Sequence, residues 1–107
     1  MNPFMKEAIA LSRSFEQNPD NTPFGAVVVI DGEVVGRGTS SVVRLHDPTA
    51  HAEVIAIRDA TSRRQNHLLP DAVLYCSGYP CPLCLMTCYW AQIPTVYYGA
   101  RLEDSAA

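Results

Sequence analysis

The sequence lacks any apolar run near the ~20 residues that a membrane-spanning helix needs, so we predict no membrane span. It also lacks an excess of basic residues. Eight Lys and Arg against eleven Asp and Glu give a net charge of −3, which argues against a general polyanion binder and disfavours nucleic acid as a partner. The first residues, 1–6, do not have the basic and then apolar design of a signal peptide, so the expected location is cytoplasmic.

Internal repeats and low-complexity segments are absent as well, and 107 residues are enough for one small hydrophobic core. The composition, 48% hydrophobic and 18% charged, is typical of a globular protein. We therefore expect a single domain over residues 1–107. The four cysteines, in a cytoplasmic chain, are expected to be ligands or buried thiols rather than disulfides.

Hydrophobic periodicity predicts an α/β fold with seven elements in the order α-β-β-α-β-α-β. An amphipathic helix over 4–17 precedes two antiparallel strands, 26–30 and 33–38, joined by the turn signal Asp31-Gly32. A second helix is predicted to start with Asp47 as N-cap and Pro48 at its first helical position. A strand at 72–76, a helix at 81–92, a strand at 95–99 and a polar tail at 100–107 follow. The last two strands should be parallel because they flank a helical crossover, and the helices should pack on a central sheet.

Two short motifs carry the predicted chemistry. His51 is expected in the first turn of the second helix, and Cys81 and Cys84 in the first turn of the third, where an i, i+3 spacing puts both sulfurs on one face. One imidazole and two thiolates are one ligand short of the tetrahedron that closes a structural zinc site, and catalytic zinc sites leave that position to water. The Glu53 carboxylate can take a proton from such a water and deliver it to a leaving group.

The two motifs together form a known signature. H-x-E followed by P-C-x-x-C, present here as His51-Ala52-Glu53 and Pro80-Cys81-Pro82-Leu83-Cys84, marks the zinc-dependent nucleobase deaminases. The sequence resembles the cytidine-deaminase-like superfamily, on the side of bacterial guanine deaminases and tRNA-specific adenosine deaminases. Residues 23–27, 47–53 and 89–91 are especially similar to guanine deaminases. The resemblance covers nearly the whole chain and implies a three-layer α/β/α cytidine-deaminase-like sheet.

The resemblance also implies a role for each matched residue. His51, Cys81 and Cys84 would hold one Zn²⁺ per chain. Glu53 would be catalytic, shuttling protons from the water to a ring nitrogen and then to the departing amine. The residues implied to contact a small nucleobase substrate are Phe24 as a stacking wall, Ser40, Ala52 through its N–H, and Pro80. Relatives are dimers, so a homodimer is expected.

The sequence departs from its relatives at three places. Those that bind guanine or adenine usually have Asn where Ser40 stands, and a single hydroxyl cannot reproduce the paired hydrogen bonds of an amide. They usually have Glu where Tyr79 stands. Guanine deaminases continue past the position of Ala107 with another strand and helical segments. We therefore expect a C-terminally short domain without the fifth strand, with an exposed edge at residues 96–98.

We interpret the sequence as a zinc-dependent hydrolytic deaminase of a nucleobase, with guanine or a related purine as the expected substrate and ammonia as a product. One alternative is a deaminase acting on adenine or cytosine in tRNA or single-stranded DNA. Its only candidate strip for a nucleic-acid backbone is Arg58, Arg63 and Arg64. A second alternative is a truncated non-catalytic domain with a closed structural zinc, whose fourth ligand would be His46, His67, Cys76 or Cys88.

Several of these residues also have simpler interpretations. Cys76 and Cys88 are expected to be small buried hydrophobes. Tyr89 and Trp90 are expected in the core or on a dimer surface. Phe24 fits core packing as well as it fits a substrate wall.

Overall fold

The computed structural model describes residues 2–18, 20 and 22–99, with only the backbone at position 15. Four strands, β1 (Thr22–Ile30), β2 (Glu33–Ser40), β3 (Ala72–Cys76) and β4 (Thr95–Tyr98), form one sheet in the order β2-β1-β3-β4. The helices are α1 (Pro3–Ser12), α2 (Val42–Leu45), α3 (Ala52–Arg64) and α4 (Pro82–Ala91), with a 3₁₀ turn at Arg13–Glu16 after α1. β1 is antiparallel to β2, and β3 is parallel to β4, as predicted. β1 is also antiparallel to β3, a pairing that the sequence analysis did not predict.

The sheet separates two helical layers. Alternate residues of β1 point to opposite faces, and both faces are buried, which explains its unbroken apolar run. Ala26 and Val28 face α3 and α4 and join the main core cluster with Leu74 and Cys76 of β3. The other face packs against α1, where Gly25 of β1 meets the Ala8 backbone. The α/β/α order of layers is therefore confirmed.

Two glycines of β2 set how closely α3 lies on the sheet. A Cβ atom added at Gly38 would overlap the carbonyl oxygen of Ala52 and lie 2.6 Å from the nitrogen of Ala56. One added at Gly36 would overlap the Ala56 carbonyl oxygen and lie 3.0 Å from the Ala60 Cβ. Small residues on both partners thus bring the first turn of α3 directly onto the sheet, at the end of the helix where the predicted histidine lies.

Two predicted helix boundaries are wrong. The first helix is shorter than 4–17, because its last turn tightens into the 3₁₀ turn. The second helix does not start at Asp47. The Asp47 carboxylate instead accepts hydrogen bonds from the backbone N–H of Thr49 at 2.9 Å and from its hydroxyl at 2.7 Å, which closes a turn that competes with a helix start. The helix begins four residues later than predicted, with His51 as its N-cap and Ala52 as its first residue.

Other differences are smaller. β1 begins at Thr22 rather than at residue 26, and the stretch predicted to be an unpatterned loop after residue 38 contains the end of β2 and the short α2. The helical spacing also predicts that Phe15 lies on the buried side of the first helix and that Pro19 ends this helix. Both predictions, and the polar tail at 100–107, lie outside the part of the chain that the structure describes.

The surface of α4 is apolar and exposed. Five large hydrophobic side chains of this helix face solvent: Leu83, Leu85, Met86, Tyr89 and Trp90. Trp90 is 71% exposed, so it does not lie in the core of the chain. β4 is an edge strand with exposed tyrosines, as expected. In residues 2–18, 20 and 22–99, no helix has the length and apolar character needed to cross a membrane.

Candidate metal centre and active site

Two helix N-termini meet at the candidate site. His51 is the N-cap residue of α3, and Cys81 is the N-cap residue of α4. The sequence predicts both inside the first helical turn, with His51 as the fourth helical residue and Cys81 as the first. Neither side chain caps its own helix, so the imidazole and the thiol are available to each other. The positive ends of both helix dipoles point to this place, which favours negative charge there.

The donor atoms lie at separations that suit a tetrahedral zinc ion. The Cys81 Sγ is 3.4 Å from the His51 Nδ1 and 3.3 Å from the Cys84 Sγ, and the Cys84 Sγ is 3.7 Å from the His51 Nδ1. Zinc–ligand bonds of ~2.3 Å to sulfur and ~2.0 Å to nitrogen at tetrahedral angles place two sulfurs about 3.8 Å apart and sulfur and nitrogen about 3.5 Å apart. The two sulfur–nitrogen distances agree with this value, and the sulfur–sulfur distance is about 0.5 Å shorter than its value. The residues present therefore fit this ion in donor chemistry, and a small shift of one sulfur completes the spacing.

Glu53 lies beside this group. It is the second residue of α3, it is only 6% exposed, and its Oε2 accepts a hydrogen bond from the Cys84 thiol at 2.7 Å. Burial and this hydrogen bond raise the pKa of Cys84 in the metal-free chain. A cation at the site would act in the opposite direction, because coordination requires a thiolate.

The remaining two cysteines are core residues, as expected. Cys76 and Cys88 are buried in the main cluster. Burial, assisted by the nearby Glu53 charge, raises the pKa of Cys88 to about 11 and raises that of Cys76 as well. Both thiols are therefore neutral at physiological pH.

The candidates for a fourth protein ligand do not join the group. His46 and His67 are exposed, and Cys76 and Cys88 belong to the core. Within the described ranges, the set of side chains close enough to hold one metal ion consists of His51, Cys81 and Cys84 alone. A closed structural site with a fourth His or Cys is thus not favoured.

A cavity of about 310 Å³ opens beside the donor group. This volume is at the lower end of the ~300–1,000 Å³ typical of small-molecule sites. Its lining residues are Thr22, Phe24, Ser40, Val42, His51, Ala52, Glu53, Tyr79 and Cys81. The cavity therefore combines apolar side chains with a few polar groups and the metal-ligand candidates, as small-molecule sites do.

The predicted substrate contacts are partly brought together here. Phe24, Ser40 and Ala52 line the cavity, and Phe24 is 45% exposed, so it does not pack in the core. Pro80 is buried and is not among the lining residues. The Ser40 hydroxyl is buried and accepts a hydrogen bond from the Thr22 hydroxyl.

The sequence does not predict that three of the lining residues face the cavity: Thr22, Val42 and Tyr79. Thr22 pairs with Ser40 across β1 and β2, but the predicted strand starts four residues later, so the predicted strand pairing does not include this pair. Val42 lies in the short α2, which the sequence pattern did not indicate. Tyr79 stands out in the sequence only as a departure from relatives. Its position two residues before Cys81 is nevertheless a signal that it lies close to the metal-ligand candidates.

The fold and the His/Cys/Cys group define a deaminase-type zinc-binding domain. The profile of the cytidine and deoxycytidylate deaminase zinc-binding region matches residues 1–100, and the chain belongs to this family. Guanine deaminase from Bacillus subtilis is 43% identical over 103 residues, which are 96% of this chain and 66% of that protein. A tRNA-specific adenosine deaminase from Agrobacterium fabrum is 40% identical over 98 residues, 92% of this chain and 64% of that protein.

The solved structures agree with the sequence relatives. The X-ray structure of the Bacillus subtilis guanine deaminase matches 99% of this chain and 69% of its own, with a TM-score of 0.92 and 42% identity. The chain spans slightly less than two thirds of the length of these two curated relatives.

Proposed function

We propose that this chain catalyses the zinc-dependent hydrolytic deamination of a nucleobase, with guanine or a related purine as substrate. The reaction takes one water and replaces a ring C–NH₂ by C=O, with release of ammonia. The observation that carries the proposal is the contact between the buried Glu53 carboxylate and the group of His51, Cys81 and Cys84, at a cavity lined by an aromatic ring.

The chain's own residues would divide the work. His51, Cys81 and Cys84 would hold the zinc ion, which when bound supplies Lewis-acid chemistry that makes water nucleophilic near neutral pH. Glu53 would accept one proton of the attacking water and deliver it to the ring nitrogen as the C–OH bond forms. It would then carry the proton of that hydroxyl to the departing amine, so that C=O forms and ammonia leaves. Because Glu53 is buried, its carboxylate would be held in one position, and the proton it carries would be kept from exchange with bulk water.

The surroundings would bind and orient the base. Phe24 offers an apolar face on which a planar ring can stack. Ala52 is the first residue of α3, so its backbone N–H is one of the unpaired donors of the helix start and can donate to the oxygen that becomes attached to the reacting carbon. The Ser40 hydroxyl, already bonded to Thr22, would give one polar contact to the base edge.

A free base is favoured over a polynucleotide by the charges on α3. Each arginine of the candidate backbone strip is paired with an aspartate: Arg58 with Asp47 at 3.8 Å, Arg63 with Asp59 at 2.9 Å, and Arg64 with Asp71 at 2.8 Å. Arg63 and Arg64 also lie at the far end of a 13-residue helix, roughly 18 Å from its start at the cavity. This strip therefore offers little free positive charge, and none of it close to the reacting groups.

The second candidate is deamination of a base in tRNA, and the 40% identity to a tRNA-specific adenosine deaminase favours it. The two candidates differ in their dependence on salt. Binding of an oligonucleotide through phosphate contacts weakens steeply with salt, whereas turnover of an uncharged base does not.

The proposal is tested by ammonia release from guanine, adenine, cytosine and their nucleosides, in parallel with a tRNA anticodon stem-loop, at two salt concentrations. The intact mass and zinc content of the same sample are measured. Ammonia release from guanine that is insensitive to salt is the expected result. Release from the stem-loop alone would replace the first candidate by the second, and release from none of these substrates would refute both.

A further inference from the structure

Tyr79 occupies the wall of the cavity without a role in the reaction proposed above. It lies in the connection from β3 to α4, two residues before Cys81, and it lines the cavity together with Phe24. Its side chain is 48% exposed, which is costly for an aromatic ring unless something else covers it. In the part of the chain that the structure describes, no hydrogen bond of its hydroxyl to another residue is found.

The ring of Tyr79 is held in place from one side. The Tyr98 ring of β4 meets it edge to face, with centroids 5.0 Å apart and an interplanar angle of 67°. Such pairs are favourable beyond the area they bury. A ring fixed by an aromatic neighbour loses little further conformational freedom when a ligand stacks on it.

Phe24 is fixed to the same segment. The Gly25 N–H donates to the Ser77 hydroxyl at 3.0 Å, and the Ser77 N–H donates to the Gly25 carbonyl at 2.9 Å. Gly78 lies directly under the Phe24 ring, since a Cβ atom at Gly78 would be 3.5 Å from two of the ring carbons. This pair of hydrogen bonds therefore ties the backbone that carries Phe24 to the backbone that carries Tyr79.

From this geometry we infer that Tyr79 is a substrate-binding and specificity-determining residue, whose ring forms with Phe24 an aromatic wall for a planar heteroaromatic base. The inference rests on the proposed function, because it concerns the same cavity. The inference adds to the proposed function because it assigns the preference for a large, two-ring base to one side chain. That side chain is not part of the metal-binding or proton-transfer groups. The ring face makes the contact, so the phenol hydroxyl is dispensable.

The test is binding of reaction products, which the enzyme does not turn over. Xanthine and uracil, the deamination products of guanine and cytosine, are titrated calorimetrically into the zinc-loaded protein and its variants. Tyr79→Leu should weaken xanthine binding roughly 5- to 100-fold, as expected for the loss of one base–aromatic stack. It should weaken uracil binding less, because a single ring stacks over a smaller area. Tyr79→Phe should bind xanthine within about threefold of the wild type, since net hydrogen-bond effects are small where water replaces the partner.

The matched control is Tyr97→Leu. Tyr97 is a neighbouring exposed tyrosine of β4 that does not line the cavity. It lies on the face of the sheet opposite to Tyr98, and its ring meets that of Tyr75 at a tilt of 33°. This variant should bind both products like the wild type.

In turnover of guanine, Tyr79→Leu should raise KM by a larger factor than it lowers kcat.

Binding and turnover separate the two proposals. If Tyr79→Leu binds xanthine as tightly as Tyr97→Leu does, the inference is wrong even if guanine is the substrate. Equal losses for Tyr79→Phe and Tyr79→Leu would also overturn it, because the hydroxyl would then make the contact. If xanthine binding depends on the Tyr79 ring but no base releases ammonia, the inference stands and the proposed function fails.

Discussion

The exchange of Glu53 for Gln tests the proton-transfer role most sharply because the structure indicates that little else changes. Glu53 is 6% exposed and accepts the Cys84 thiol at 2.7 Å. The amide oxygen of Gln has the same reach and can accept the same hydrogen bond, so folding and the donor group should be preserved. The amide cannot take a proton, and general acid–base catalysis contributes about 10²- to 10⁴-fold. We therefore expect kcat for guanine to fall by about that factor, while zinc stays at one ion per chain.

The assay measures ammonia release together with zinc content by native mass spectrometry. Glu33→Gln is the matched control, because Glu33 is an exposed carboxylate at the start of β2, away from the cavity. Retention of more than a tenth of the wild-type kcat by Glu53→Gln would exclude Glu53 as the proton carrier. Loss of zinc in the same variant would instead make Glu53 part of the metal-binding group.

Three further predictions concern the fold and its surfaces. Gly38→Ala should lower the free energy of unfolding by about 1–3 kcal/mol, the usual cost of overpacking, because the added Cβ would overlap the Ala52 carbonyl. Urea denaturation measures this change, and an unchanged urea midpoint would contradict the prediction. The hydrogen bond and charge of Arg64 lower the pKa of Asp71 in the folded chain. The wild type should therefore be more stable than Asp71→Asn above pH ~4, and this advantage should disappear as pH falls through the lowered pKa. A difference in urea midpoint that does not shrink in acid would contradict this stabilising role of Asp71. The uncharged α4 surface should mediate a homodimer, so Trp90→Glu should shift light-scattering mass toward one chain; a wild type that is monomeric at 100 μM would refute this.

The sequence predicted the sheet well because its strands carry strong local signals. The apolar run at 26–30 and the turn at Asp31-Gly32 set the central hairpin, and the two strands around the α4 helix could only be parallel. The helix starts were less predictable. Asp47 has the side chain of an N-cap, but it bonds to Thr49 within a turn, and sequence patterns do not show which of two local hydrogen-bonding options a carboxylate will take.

That displacement matters for the site. The helix start at Ala52 makes His51 an N-cap residue, and Cys81 holds the equivalent place on α4. Motif spacing was sufficient to group His51, Glu53, Cys81 and Cys84. It was not sufficient to find Thr22, Val42 and Tyr79, which reach the cavity through strand register and loop path rather than through any pattern along the chain.

The central claim is that one zinc ion held by His51, Cys81 and Cys84 is required for hydrolytic release of ammonia from a base. The most direct measurement follows ammonia release from guanine in one sample at three stages: as purified, after removal of metal by a chelator, and after return of one equivalent of Zn²⁺. We expect activity to be lost with the metal and restored by that single equivalent. Undiminished activity in the metal-free chain, or no ammonia at any stage despite one bound zinc, would contradict the account.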